Sequence, residues 1–171
     1  MGLTKIDSIE LSRYLLAKYG GMSHLKLQKL IYYVEAWHLA YFGESIIDDD
    51  FEAWLHGPVS QKVWHNFKDF EFPLHNILVV KKDEAPEIIA YVESKIVADQ
   101  KDLITDVLEE YGNKSAYYLE CLTHSELPWV EARSGYPPDA KCSNRISKDT
   151  MRKFYHKALY GQPAEDKTAP A

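Results

Sequence analysis

A mainly α-helical fold, one compact domain around a central buried helix with at most a small two-stranded β element, is what the sequence predicts. Three observations carry this reading. Apolar residues recur at three-then-four spacing over most of the 171 residues, strand-like runs occur in only two places, and the stretch Leu25–Phe42 becomes apolar nearly all round toward its end. With 46% apolar and 13% aromatic residues the chain has enough material to bury a real core, at a length typical of one domain. We assign residues 1–161 to this domain and residues 162–171, polar and rich in Pro and Ala, to a disordered C-terminal tail.

The elements follow in order. Asp7 is placed to cap a first helix carrying Ile9, Leu11, Tyr14, Leu15 and Leu16, which closes at Gly20-Gly21. Ser23 caps the central helix and Gly43 ends it as a left-handed residue. On that helix Leu27, Leu30, Ile31, Val34, Trp37, His38 and Tyr41 share one face, while Lys26, Lys29 and Glu35 fall elsewhere. The alternation of Phe51, Ala53 and Leu55 with Glu52, Trp54 and His56 reads as a short extended segment, broken at Gly57-Pro58. Pro58 suits the first turn of a further helix with Val59, Val63, Trp64 and Phe67 inward, ending near Phe72-Pro73. The β-branched run Asn76–Val80 is expected to pair with Phe51–Leu55.

Beyond Pro86 the pattern from Ile88 to Tyr111 indicates one long helix, or two joined near Asp99–Asp102, stopped by Gly112-Asn113. Ser115 caps Ala116–Thr123, and Leu127-Pro128-Trp129 opens a short helical turn. Ser134–Cys142 is loop, and Ser147 caps a last helix with Met151, Phe154, Tyr155 and Leu159.

Composition and motifs exclude more chemistry than they suggest. A formal charge of -6 argues against a phosphate-coating surface, so nucleic acid is not expected as a partner. No run of eighteen apolar residues spans a bilayer and the N-terminus lacks a signal-peptide layout, so a cytoplasmic protein without membrane association is expected. The seven histidines show no HxxxH or HExxH spacing and the two cysteines form no CxxC, which leaves no metal site and no cofactor in view. His38 reads as a core histidine bonded through a ring nitrogen. Cys121 and His124, three apart on a helix, set out the pattern of a Cys/His nucleophile, or with the scattered histidines a metal-dependent hydrolase; a small buried cysteine is the stronger reading. No phosphate-cradling glycine loop or GxSxG elbow is present.

What stands out is the aromatic content. Trp37, Trp54, Trp64 and Trp129 with twelve tyrosines exceed what a small core needs, and Trp and Tyr commonly anchor interfaces. Alternation would send Trp54 and His56 to one side of the extended segment, beside a Gly-Pro corner of the kind that carries function.

The run LQKLIYYVEAWHLAYFGESIIDDDFEAWLHGPV resembles the signature of the Panacea domain, a family of phage-associated proteins that includes SocA-like antitoxins. The resemblance rests on Leu27, Gln28, Lys29, Leu30, Tyr32, Tyr33, Trp37 and Ala40, then Phe51, Glu52, Ala53, Trp54, Gly57, Pro58 and Val59. His124, Pro128 and Trp129 resemble a second block, and together the two extend over Leu11 to about Tyr160. The resemblance implies a helical, non-enzymatic antitoxin that neutralises a toxin encoded beside it by direct protein-protein binding, or, in the SocA branch, as an adaptor presenting the toxin to a protease. The expected partner is thus a cognate toxin, with a protease as the alternative. The expected contact surface is Trp54, His56, Gly57 and Pro58, with Trp129 beside them.

Overall fold

The computed structural model describes residues 2–69 and 72–164, and over these the chain is mainly α-helical. Helix α1 (Ser8–Tyr19) starts at Asp7, whose carboxylate accepts from the amides of Ile9 (2.8 Å) and Glu10 (3.3 Å), and turns out at Gly20, φ 111°. Strand β1 (Met22–Ser23) leads into α2 (His24–Phe42). Ser23 Oγ accepts from the Lys26 amide at 3.2 Å, and Gly43 closes α2 with φ 74° and its own amide on Leu39 O. These local signals act where the sequence placed them.

Helix α2 is the axis of the molecule. All its residues except Lys26, Trp37, Tyr41 and Phe42 are buried. The later helices pack round it: α5 (Ala98–Tyr111), α6 (Ala116–Ser125) and α8 (Lys148–Tyr160), with α1 on a further side. Helix α4 (Ala85–Glu93) rests on α1, and the short α7 (Leu127–Ala132) bridges α6 and α8. Leu27, Leu30, Ile31 and Val34 are fully enclosed by Leu11, Leu15, Phe51, Ile104, Met151 and their neighbours. Tyr33 stacks on Tyr111 with centroids 4.2 Å apart, and its hydroxyl donates to Glu126 (2.6 Å), which also receives the Tyr155 hydroxyl (2.9 Å). Burial raises the Glu126 carboxyl above its ordinary value, against the pull of these two donors.

The β content differs from the expectation. Strand β2 (Glu52–Trp54) pairs antiparallel with β3 (Gly57–Val59), Ala53 opposite Pro58 and Trp54 opposite Gly57, as a hairpin turning on Leu55 and His56. The segment expected to be its partner, near Asn76–Val80, supplies β4 (Ile77–Leu78), which pairs with β1 instead. A hairpin closes over two residues, whereas the expected pairing had to close a much longer loop. Pro58 therefore lies inside a strand and does not start a helix; α3 (Gln61–Phe67) begins three residues later, where Ser60 Oγ accepts from the Val63 amide at 3.2 Å. Pro73 opens a single 3-10 turn, Pro73–His75. The stretch after Pro86 is two helices, α4 and α5, separated at Ser94–Val97, just before the expected joint.

The face of α2 also needs correction. Lys29 and Glu35, expected away from the apolar face, are completely buried, while Tyr41, expected on it, is 55% exposed. Glu35 and His38 have each found partners. Glu35 accepts from the amides of Ile46 (3.1 Å) and Ile47 (3.3 Å) and meets Lys148 Nζ at 3.4 Å. His38 is the bonded core histidine its position suggested, with Nδ1 at 2.5 Å from Glu44 O and Nε2 at 3.0 Å from the Gln100 amide nitrogen. Of the expected tail, residues 165–171 lie outside the described residues.

Candidate partner-binding site

The β2–β3 hairpin sits against α2 and α6, and Lys29 explains why it turns there. The Lys29 side chain runs under Gly57 and its ammonium donates to Pro58 O at 3.0 Å. A Cβ on Gly57 would come within 2.4 Å of Lys29 Cε and 2.9 Å of Thr123 Oγ1, and the backbone there has φ 109°. Only glycine meets both demands. Burial lowers the Lys29 amine to about 7 although the Glu120 carboxylate nearby acts to raise it. Gly57 and Pro58 are themselves buried, so they shape the corner from beneath.

Helix α7 and the residue that ends it hold the other strand. The Trp129 indole nitrogen donates to Trp54 O at 2.9 Å, and Arg133 Nη1 donates to Ala53 O at 2.8 Å. Two groups pack on the Trp129 ring: His124 stacks on it at 3.9 Å, and the Arg133 guanidinium lies 4.7 Å from its centroid. Trp129 is only 6% exposed. Burial pushes the His124 imidazole below its usual range. Arg133 also donates to the carbonyls of Pro137 and Ala140, tying the loop after α7 to the hairpin.

At the tip, alternation does not hold, because the strand ends at Trp54 and His56 belongs to the turn. Trp54 is half-buried, its ring 5.7 Å from that of Trp64. His56 is exposed and its Nδ1 lies 2.8 Å from Glu120 Oε1. Beside them opens a cleft of about 520 Å³, lined by Trp54, Leu55, His56, Leu74, Tyr136 and Lys141 among others. Of the expected contact residues, Trp54 and His56 thus reach a surface cleft, whereas Gly57, Pro58 and Trp129 form its support.

Sequence reasoning missed Lys29, Glu120, Thr123 and Arg133 in this construction. Lys29 carried a signal, since it stands among the residues of the family resemblance; Glu120, Thr123 and His124 share one face of α6 by spacing alone. Cys121 is exposed and faces Tyr117, while the His124 ring is occupied with Trp129. Among the described residues no three His, Cys, Asp or Glu side chains converge as metal ligands would. No helix among them is long and apolar enough to cross a membrane.

Residues 27–130 match the model of the family described as antitoxin SocA-like, Panacea domain, and the chain belongs to this family. It is similar to Antitoxin SocA of Caulobacter vibrioides (strain NA1000 / CB15N), with 31% identity over 136 residues, covering 76% of this chain and 72% of that protein. No solved structure matches the chain. The matched segment contains α2 from Leu27 onward, the whole hairpin and Trp129, so the family's shared portion includes the hairpin side of the cleft, while Arg133, Tyr136 and Lys141 lie beyond it. Membership supports an antitoxin role, with a toxin as partner in general.

Proposed function

We propose that the chain is a non-enzymatic antitoxin that neutralises a toxin encoded beside it by direct binding in the cytoplasm, and that residues 1–161 are the binding unit. The contact surface is the tip of the β2–β3 hairpin, with Trp54 as apolar anchor, His56 as polar contact, and Gly57, Pro58 and Trp129 holding both in place. The observation that carries this reading is the cleft itself. In a chain of an antitoxin family, a half-buried indole and an exposed imidazole stand at an apolar opening whose backbone is fixed by Lys29, Trp129 and Arg133. A rigid corner of this kind binds without an ordering cost, as hot-spot residues require.

Growth rescue tests the proposal. The neighbouring gene is expressed with the wild type, with Trp54→Ala and with His56→Ala, and the thermal stability of each variant is measured alongside. The wild type is expected to restore growth. Each variant is expected to stay folded and lose rescue, as for a hot spot costing ~2 kcal/mol or more in binding. The toxin's abundance is read at the same time and is expected to stay constant on rescue. A fall in toxin level would mean delivery to a protease and would overturn direct blocking, and full rescue by both folded variants would remove the hairpin tip from the interface.

A further inference from the structure

A second surface shares no residue with the hairpin cleft. Between the end of α2, the outer side of α5 and the end of α8 lies a groove of about 440 Å³ whose floor is Trp37, Tyr41, Leu103, Val107 and Leu159. Tyr41 and Leu159 are 55% and 45% exposed, so this apolar floor faces solvent. Asp99, Asp102, Asp106 and Glu110 border it from α5. Their spacing of three, four and four residues makes one stripe, about 16 Å long at 1.5 Å per residue.

All four carboxylates are exposed, and among the described residues none is in an ion pair, whereas Glu93 alone holds Lys18 and Lys101. The last turn of α2 carries no basic residue, so the negative end of its dipole adds to the same field, while α8 brings Lys157 in its own last turn. Apolar floor and acidic border together define what fits.

We propose that this groove docks a basic amphipathic helix of a partner protein, its apolar face on Trp37, Tyr41 and Leu159 and its Lys or Arg side chains on the carboxylates of α5. A helix laid along α5 presents cations at the period on which the carboxylates stand. Other occupants fit worse on charge. A second copy in a two-fold dimer would bring two acidic stripes together in a chain of net charge -6. The chain's own residues 165–171 carry Glu165 and Asp166 against the single Lys167.

The experiment uses the full chain and three labelled peptides of equal length followed by fluorescence anisotropy at low salt: a Lys/Leu amphipathic helix, its scramble with the same composition, and the same helix with Glu in place of Lys. The amphipathic basic peptide is expected to bind about tenfold or more tighter than either control. Asp102→Lys/Asp106→Lys and, separately, Leu159→Glu are expected to weaken it about tenfold. Asp83→Lys/Glu87→Lys, an equal charge change on and before α4, is expected to change binding less than about threefold, because neither residue lines the groove. Trp54→Ala should leave peptide binding unchanged, which keeps this result separate from the fate of the hairpin reading. Equal binding of the scrambled peptide, an equal loss in the α4 variant, or wild-type protein sedimenting as a dimer that releases no site to peptide would overturn the proposal.

Discussion

Gly57→Ala would set a methyl group against Lys29 Cε and force a side chain onto a backbone with φ 109°. Strain of each kind costs ~1–3 kcal/mol, so the variant is expected to lose about 3 kcal/mol or more in urea unfolding. Lys29 itself makes a pH-dependent contribution whose sign follows from its environment. Its amine falls from 10.5 to about 7 on burial. Between those values the unfolded chain holds a proton that the folded chain has released, so stability rises with pH across this window, and the full penalty of burying the charge is felt below it. The slope is at most one proton, about 1.4 kcal/mol per pH unit. Buried tyrosines such as Tyr14 and Tyr111, held above their ordinary values, act in the opposite sense at higher pH, so the slope is best read between about 7.5 and 9. Lys29→Met is expected to flatten it; an unchanged slope would mean the amine is not the group that titrates.

At the scale of elements, Glu35 joins three parts of the chain: α2, the segment through Ile46 and Ile47, and Lys148 at the start of α8. Glu35→Ala leaves two buried amides without their acceptor and removes one of three acceptors of the partly buried Lys148, which keeps Ser45 Oγ and Ile47 O, and is expected to cost ~3 kcal/mol, mainly for the stranded amides. Leu30→Ala, which only opens a cavity in the same helix, falls in the ~2–4 kcal/mol range. Hydrogen exchange separates them, since only the Glu35 variant should free the Ile46 and Ile47 amides to faster exchange.

What the sequence made legible divides along the same line. The caps at Asp7, Ser23, Ser115 and Ser147 and the stops at Gly20 and Gly43 depend on neighbours within four residues, and each was readable. The strand partners were not, because β1 and β4 meet through contacts that no local pattern encodes. Lys29 and Glu35 were misplaced for a related reason. A helix enclosed on nearly every side has no solvent face to which a charge defaults, and the groups that receive these two lie on β3, α8 and the loop before β2. The hairpin corner was visible as Trp54-Leu55-His56-Gly57-Pro58, but which of those residues face outward depended on where the strand ended.

For the molecule as a whole, the proposed contact is the hairpin tip and the rest of the fold is its mount. Trp54 and His56 should therefore alter binding with little effect on stability, whereas Gly57, Lys29 and Trp129 should alter both together. The most direct measurement is isothermal titration calorimetry of the purified chain with the product of the neighbouring toxin gene, using wild type, Trp54→Ala and His56→Ala matched for thermal stability. The expected result is saturable binding by the wild type, weakened about thirtyfold or more in Trp54→Ala, as ~2 kcal/mol at a hot spot requires. No heat of binding with the wild type, or equal affinity in both folded variants, would contradict it.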